Sequence, residues 1–185
     1  MRALSKTEKK LVKNLSKETY SDSFVEQCLR TFCGPDVRGL TVSKHSSNGF
    51  SAIVSNNSGY YLSDEAEKTI ISALVQTHDL LESLEMAGFI RRIHQATDID
   101  EPDRIVWINE NVEGKSSSLC ESRRQFANFN LSSVLQDSVV VTESLRVYVG
   151  NSFRTTDERH SRWALWAQWT GITIALLASI LGLII

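Results

Sequence analysis

The side chains that could do chemistry in this chain are three cysteines, four histidines and a run of carboxylates. Cys28 and Cys33 are five residues apart, whereas metal ligands on one helical face are normally three or four residues apart. Cys28 also falls on the apolar face of a predicted helix. With Cys120, the cysteines form an odd, sparse set, so we expect core thiols in a reducing compartment rather than a zinc site or a disulfide framework.

The histidines and carboxylates give no stronger catalytic signal. The histidines lie in four different settings, without HxxxH or HExxH spacing, at His45, His78, His94 and His160. Four carboxylates alternate along one polar loop, at Asp98, Asp100, Glu101 and Asp103. This loop lacks the glycine and the closing glutamate of a calcium-binding EF-hand, and the chain has no glycine-rich phosphate loop or nucleophile elbow. We therefore predict that the protein is not an enzyme and uses no metal or cofactor.

The most distinctive segment is the uncharged, apolar run over residues 163–185. As a helix rising about 1.5 Å per residue it would be roughly 34 Å long, and the hydrocarbon core of a bilayer is about 30 Å thick. Residues typical of a membrane interface cluster at its start: Arg159, Arg162, Trp163, Trp166 and Trp169. The run therefore predicts a single C-terminal transmembrane helix.

The rest of the chain predicts which side of the membrane the soluble part occupies. Its N-terminus lacks the apolar segment of a secretory signal peptide, and the arginines before the apolar run agree with the positive-inside rule. We predict a cytosolic domain over residues 1–149, a juxtamembrane linker over 150–162 and a tail-anchored, single-pass arrangement. A bacterial inner membrane and a eukaryotic endomembrane both suit this anchor. The net charge of −2 gives no general basic field for nucleic acid.

Local patterns in the soluble part alternate between helix and strand, which is typical of an α+β fold. A capping box, Ser5 to Glu8, opens a first helix, and a second ends at Gly34. Alternating apolar residues flank Asn48-Gly49 and predict a hairpin. Helical spacing continues without a breaker over residues 63–87. Further runs have strand character, and we expect the first two to pair: Phe89–His94, Arg104–Asn109, Ser138–Thr142 and Leu145–Val149.

The segment from Leu80 to Asn109 resembles the recognition helix and wing of winged-helix domains. It has a leucine-rich helix, then Ala-Gly-Phe-Ile-Arg-Arg, a polar loop and a returning strand. The resemblance implies a contact surface at Arg91 and Arg92. The predicted recognition helix carries three acidic residues, Asp79, Glu82 and Glu85, and no arginine or lysine. Because these carboxylates would repel phosphates, we expect this surface to contact a partner protein in preference to DNA.

Small residues recur every fourth position in the apolar run, at Ala167, Gly171, Ala175 and Ser179. Such a stripe lets helix backbones approach closely in lipid. It predicts self-association into a homo-oligomer through this face of the helix.

Together these patterns favour a non-enzymatic membrane protein whose cytosolic domain binds an unidentified protein or small-molecule ligand, and whose helix clusters the complex. One alternative is a membrane-disrupting effector, such as a toxin or a bacterial antiviral defence protein. Its helices would oligomerise into a pore, with Gln168, Thr170 and Thr173 as the few polar groups of the span. A second alternative is a membrane-tethered winged-helix regulator that binds DNA.

Overall fold

The computed structural model describes residues 2–43, 50–55, 59–94, 103–108, 117–122, 137–155, 158, 160–170 and 172–173. The helices there are α1 (Lys6–Leu15), α2 (Phe24–Cys33), α3 (Asp64–Met86), α4 (Glu143–Gly150) and α5, a helical run over residues 160–170. The strands are β1 (Tyr20–Ser21), β2 (Val37–Ser43), β3 (Phe50–Ser55), β4 (Ile90–His94), β5 (Asp103–Ile108), β6 (Ser117–Glu121) and β7 (Asp137–Val141). The predicted α+β class is confirmed.

The chain divides into two compact units, Met1–Leu145 and Arg146–Ile185, called unit 1 and unit 2 below. Unit 1 contains helices α1 to α3 and both sheets, and unit 2 contains most of α4 and all of α5. Within the part of the chain that the structure describes, no helix is both long and apolar enough to cross a bilayer. Residues 174–185 lie outside that part, so the transmembrane helix over 163–185 stays a prediction.

The first sheet of unit 1 is antiparallel, with the strand order β1-β7-β4. β7 is central: Val140 pairs with Tyr20 of β1, and Val141 pairs with Ile90 of β4. Helix α2 packs against β7 and α3 packs against β4, with α2 and α3 also against each other. Val139 and Val141 of β7 are buried on the apolar face of the sheet, and Ser138 on the opposite face is also buried, where its hydroxyl donates to Asp22 Oδ1 at 2.6 Å.

The second sheet has the order β5-β2-β3-β6 and is also antiparallel. The predicted hairpin is confirmed in β2 and β3, where Leu40 pairs with Ala52, although its Asn48-Gly49 turn lies outside the described residues. The expected pairing of Phe89–His94 with Arg104–Asn109 is wrong. β4 pairs with β7, and β5 pairs with β2 in the other sheet, because strand periodicity specifies a buried face and not a partner.

Local capping signals mark the start of α1 and the end of α3. In α1, the Glu8 N–H donates to Ser5 Oγ at 3.2 Å, and the Ser5 N–H donates to a Glu8 carboxylate oxygen at 2.7 Å, so the predicted capping box is confirmed. Helix α3 ends at Met86 with Ala87 as its C-cap, and the following Gly88 has a φ of 70°, which suits a residue without a side chain. The Thr142 hydroxyl donates to the carbonyl oxygens of Gly88 and Phe89, each at 2.8 Å, and fastens the end of β7 to this turn.

One predicted strand is a helix. Residues Leu145–Val149 belong to α4, although their alternating valines have high β propensity. Leu145 and Tyr148 are buried and stand three residues apart, which is a helical and not a strand spacing. Burial of this face outweighs the local preference of the valines for a strand.

Candidate functional site

Helix α5 displays the three tryptophans that the sequence predicts for a membrane interface. Trp163, Trp166 and Trp169 are 67%, 70% and 66% exposed. Leu165 and Ile172 on the same helical stretch are also exposed, at 53% and 45%. A large aromatic side chain normally gains roughly 1.5–3 kcal/mol when it is fully buried, so this helix displays an unusual amount of apolar surface.

A second capping box starts the helical stretch that carries these tryptophans. The Glu158 N–H donates to Thr155 Oγ1 at 3.2 Å, and the Thr155 N–H donates to Glu158 Oε2 at 3.1 Å. Part of the predicted linker over 150–162 is therefore ordered. Arg162 lies on the helix and is exposed, whereas Arg159 lies outside the described residues.

A tight turn over residues 151–155 joins α4 to this helix. The Ser152 N–H donates to the Val149 carbonyl at 3.0 Å, and the Phe153 N–H donates to the Tyr148 carbonyl at 2.9 Å. Ser152 and Phe153 have φ angles of 58° and 61°, a left-handed conformation that residues other than glycine rarely adopt. The ring of Phe153 meets Tyr148 edge-on at a centroid distance of 5.6 Å, and this contact holds the reversal in place.

A groove of about 770 Å³ lies within unit 2, between this turn and one face of α5. The turn contributes Asn151, Ser152 and Arg154, and the helix contributes Arg162, Trp163 and Trp166. The groove therefore combines two guanidinium groups with two indole rings. Sequence reasoning found the helix residues but missed the groove, because the two left-handed positions of the turn that forms its other wall, Ser152 and Phe153, are not glycines.

The polar residues further along the helix turn their hydroxyl groups toward their own backbone. The Thr170 hydroxyl donates to the carbonyls of Trp166 and Ala167, at 3.0 and 2.9 Å, and the Thr173 hydroxyl donates to the carbonyl of Trp169 at 2.8 Å. Of the predicted small-residue stripe, Ala167 is described and exposed, while Gly171, Ala175 and Ser179 lie outside the described residues.

Arg91 and Arg92 do not form one basic surface. As neighbours on β4 they point to opposite faces of the first sheet. Arg92 is 19% exposed at its side chain and its Nε donates to Glu85 Oε2 at 2.7 Å, whereas Arg91 is exposed. Of the two arginines, Arg91 presents its charge to solvent, whereas Arg92 is paired with Glu85.

The exposed side of α3 contains one cluster that sequence reasoning missed. His78 Nδ1 lies 3.8 Å from Asp79 Oδ1 and 4.0 Å from Glu82 Oε2, and the three possible ligand atoms lie within 4.8 Å of one another. The cluster does not match HxxxH spacing, because the residue one helical turn after His78 is Glu82. Both carboxylates are more than half exposed, and surface ion pairs of this kind stabilise a helix by only about 0.3–0.5 kcal/mol.

The three cysteines are buried, which confirms their interpretation as core residues. Burial raises the pKa of Cys33 to about 12. It raises the pKa of Cys28 further, and the nearby Glu8 carboxylate acts in the same direction. The Cys120 thiol donates to the Gly59 carbonyl at 3.2 Å.

We expect the native protein to react with Ellman's reagent at least about a hundredfold more slowly than a small-molecule thiol at pH 8, because the thiolate is the reactive form. Denaturant should release all three thiols to fast reaction. The measurement is the absorbance change with and without urea. A cysteine that reacts rapidly in the native protein would contradict the burial of the three thiols.

The described residues thus bring together aromatic and cationic groups at a groove, an arrangement that suits binding. The raised pKa values of Cys28 and Cys33 keep both thiols protonated, and the half-buried His78 of α3 stands among carboxylates, so none of the three is arranged as an activated nucleophile. Comparison of the chain with protein-family models, curated proteins and solved structures finds no match.

Proposed function

We propose that this protein is a membrane-anchored binding protein without catalytic activity. Residues 163–185 insert into a bilayer, and unit 1 is a cytosolic module that contacts a partner protein. The observation that carries the proposal is the simultaneous exposure of Trp163, Trp166 and Trp169 on one short helix.

Membrane insertion explains this exposure physically. Tryptophan is enriched at the depth of the lipid headgroups, where the ring is apolar and its N–H still meets water. Arg162 directly precedes the tryptophans, and the sequence continues without a charged residue to Ile185. Self-association through Ala167, Gly171, Ala175 and Ser179 is part of the same proposal, since close approach of helix backbones favours association in lipid.

A winged-helix-like core is also part of the proposal. In chain order, α1, β1, α2, α3, β4 and β7 form a helix, a short strand, two helices and two strands, and the sheet order β1-β7-β4 is the one such a core requires. Two insertions into this core form the second sheet. β2 and β3 lie between α2 and α3 in the sequence, and β5 and β6 lie between β4 and β7. The third helix of the core is the whole of α3.

Protein contact is favoured over DNA contact because of the charge on α3. Its exposed side carries Glu65, Asp79 and Glu82 against one lysine, Lys68, and this negative balance would repel phosphates at the position where a recognition helix approaches DNA. Arg92 is paired with Glu85 within the protein. The surface is suited to a partner that tolerates or prefers negative charge.

Two measurements on the full chain test this function. After expression in cells, we expect the protein to stay in the membrane pellet through an alkaline carbonate wash. Its release into the supernatant would contradict insertion. In detergent micelles, we expect fluorescence anisotropy to give a DNA Kd no tighter than about 100 µM, which is the weak end of non-specific binding. A tighter, salt-dependent affinity that falls in Arg91→Ala but not in Arg30→Ala would instead support the DNA-binding regulator.

The pore-forming alternative receives less support from the described helix. The hydroxyl protons of Thr170 and Thr173 are already donated to carbonyls of their own helix, which leaves few groups to hydrate a channel. Dye-loaded liposomes containing the protein separate the two functions. We expect no leakage above that of empty liposomes.

A further inference from the structure

We propose that the groove of unit 2 binds the headgroup of an anionic phospholipid. This inference rests on the proposed insertion of residues 163–185, and it adds a ligand to what would otherwise be a plain anchor. The groove is the space of about 770 Å³ between the turn over residues 151–155 and α5.

The charge of the groove selects an anion. Arg154 enters from the turn and Arg162 from the helix, and both side chains are exposed. A guanidinium group offers several N–H donors in one plane and pairs well with two oxygens of a phosphate. Asn151 and Ser152 add neutral polar groups on the same wall.

The described lining of the groove is free of acidic side chains. The nearby Glu158 uses its carboxylate to accept the Thr155 N–H at 3.1 Å, and so it serves as the cap of the helix. The groove therefore keeps a positive balance at neutral pH.

The tryptophans specify a lipid rather than a soluble anion. Trp163 and Trp166 form the helix wall, and these are the residues that would sit at headgroup depth. An anion bound between Arg154 and Arg162 is then at the level of the lipid phosphates. The small side chains of Ala167 and Thr170 continue along the same face and leave room for an acyl chain to follow the helix.

The experiment uses the full chain with Trp107→Phe, so that its three remaining tryptophans are Trp163, Trp166 and Trp169. The protein is reconstituted into vesicles of phosphatidylcholine with phosphatidylglycerol, in which one or the other lipid carries brominated acyl chains that quench indole fluorescence. Quenching by each lipid gives the relative affinity of the helix surface for the two headgroups. We expect a preference of about tenfold for phosphatidylglycerol, since a basic side chain near an anionic surface contributes substantially.

The matched variants separate a built site from general charge attraction. Arg154→Gln with Arg162→Gln should lower the preference to about one, whereas Arg30→Gln, which removes an exposed arginine outside the groove, should leave it unchanged. Equal loss in both proteins, or no preference in the parent, would overturn the groove proposal. Millimolar inorganic phosphate should not reduce the preference, and a reduction would show that the free anion competes for the groove, which contradicts selection of the lipid.

The quenching measurement distinguishes a failure of membrane insertion from a failure of lipid binding in the groove. If neither brominated lipid quenches the tryptophans, residues 163–185 are not inserted and the proposed function fails. If both lipids quench equally, the helix is inserted and only the groove proposal fails.

Discussion

Leu176→Arg is expected to release the full chain from membranes. Leu176 lies near the middle of the uncharged run over residues 163–185. On the insertion scale, a central leucine contributes about −0.5 kcal/mol and a central arginine costs about 2.5–3.5 kcal/mol. The difference of about 3–4 kcal/mol corresponds to a change of more than about a hundredfold in the ratio of inserted to non-inserted protein.

The matched control for this variant is Ser161→Arg. Ser161 is an exposed residue on the helical stretch just before the apolar run, so the same charge is added without placing it in hydrocarbon. The measurement is the fraction of protein retained after an alkaline carbonate wash. Retention of Leu176→Arg at the level of Ser161→Arg would show that the run does not span the bilayer.

Phe24→Ala is expected to cost unit 1 about 3–5 kcal/mol of its free energy of unfolding. Phe24 lies in the first turn of α2 and is 1% exposed, in the layer where α2 packs against α3 and β7. Removing its ring leaves a cavity that the two helices and the sheet cannot close without moving. Since whole domains are stable by only about 5–15 kcal/mol, this single change takes a large share.

Phe32→Ala on the same helix is the natural comparison, because the same atoms are removed from a half-buried side chain. It should cost only about 1–2 kcal/mol, in proportion to the smaller apolar area that Phe32 buries. Urea unfolding followed by far-ultraviolet circular dichroism in mild detergent measures both values. Equal midpoints for the two variants would contradict the position of Phe24 in the core.

Features with a local signal could be predicted from the sequence. The capping box at Ser5, the hairpin of β2 and β3, and the unbroken helix α3 each depend on residues close together in the chain. The partner of β4 could not be predicted in the same way, because β7 comes from a distant part of the sequence. The periodicity of a strand shows which face is buried, and any other strand with a suitable face could pair with it.

The candidate site shows the same division between local and distant information. The composition of the helix identified Arg162 and the tryptophans without any structure. The opposite wall could not be predicted, because Ser152 and Phe153 adopt a conformation for which their side chains carry no preference. Packing of Phe153 on Tyr148 decides this conformation, and a contact between two rings across a turn has no sequence signature.

The central position of β7 has a consequence for biosynthesis. β1 and β4 both bond to β7, so neither strand has its partner in the first sheet until residues 137–141 have been synthesised. Until β7 has been synthesised, β1 and β4 have unpaired strand edges, and such edges are templates for aggregation. The nascent chain is therefore most vulnerable late in its synthesis, and a chaperone that holds it until β7 emerges would protect it during that interval.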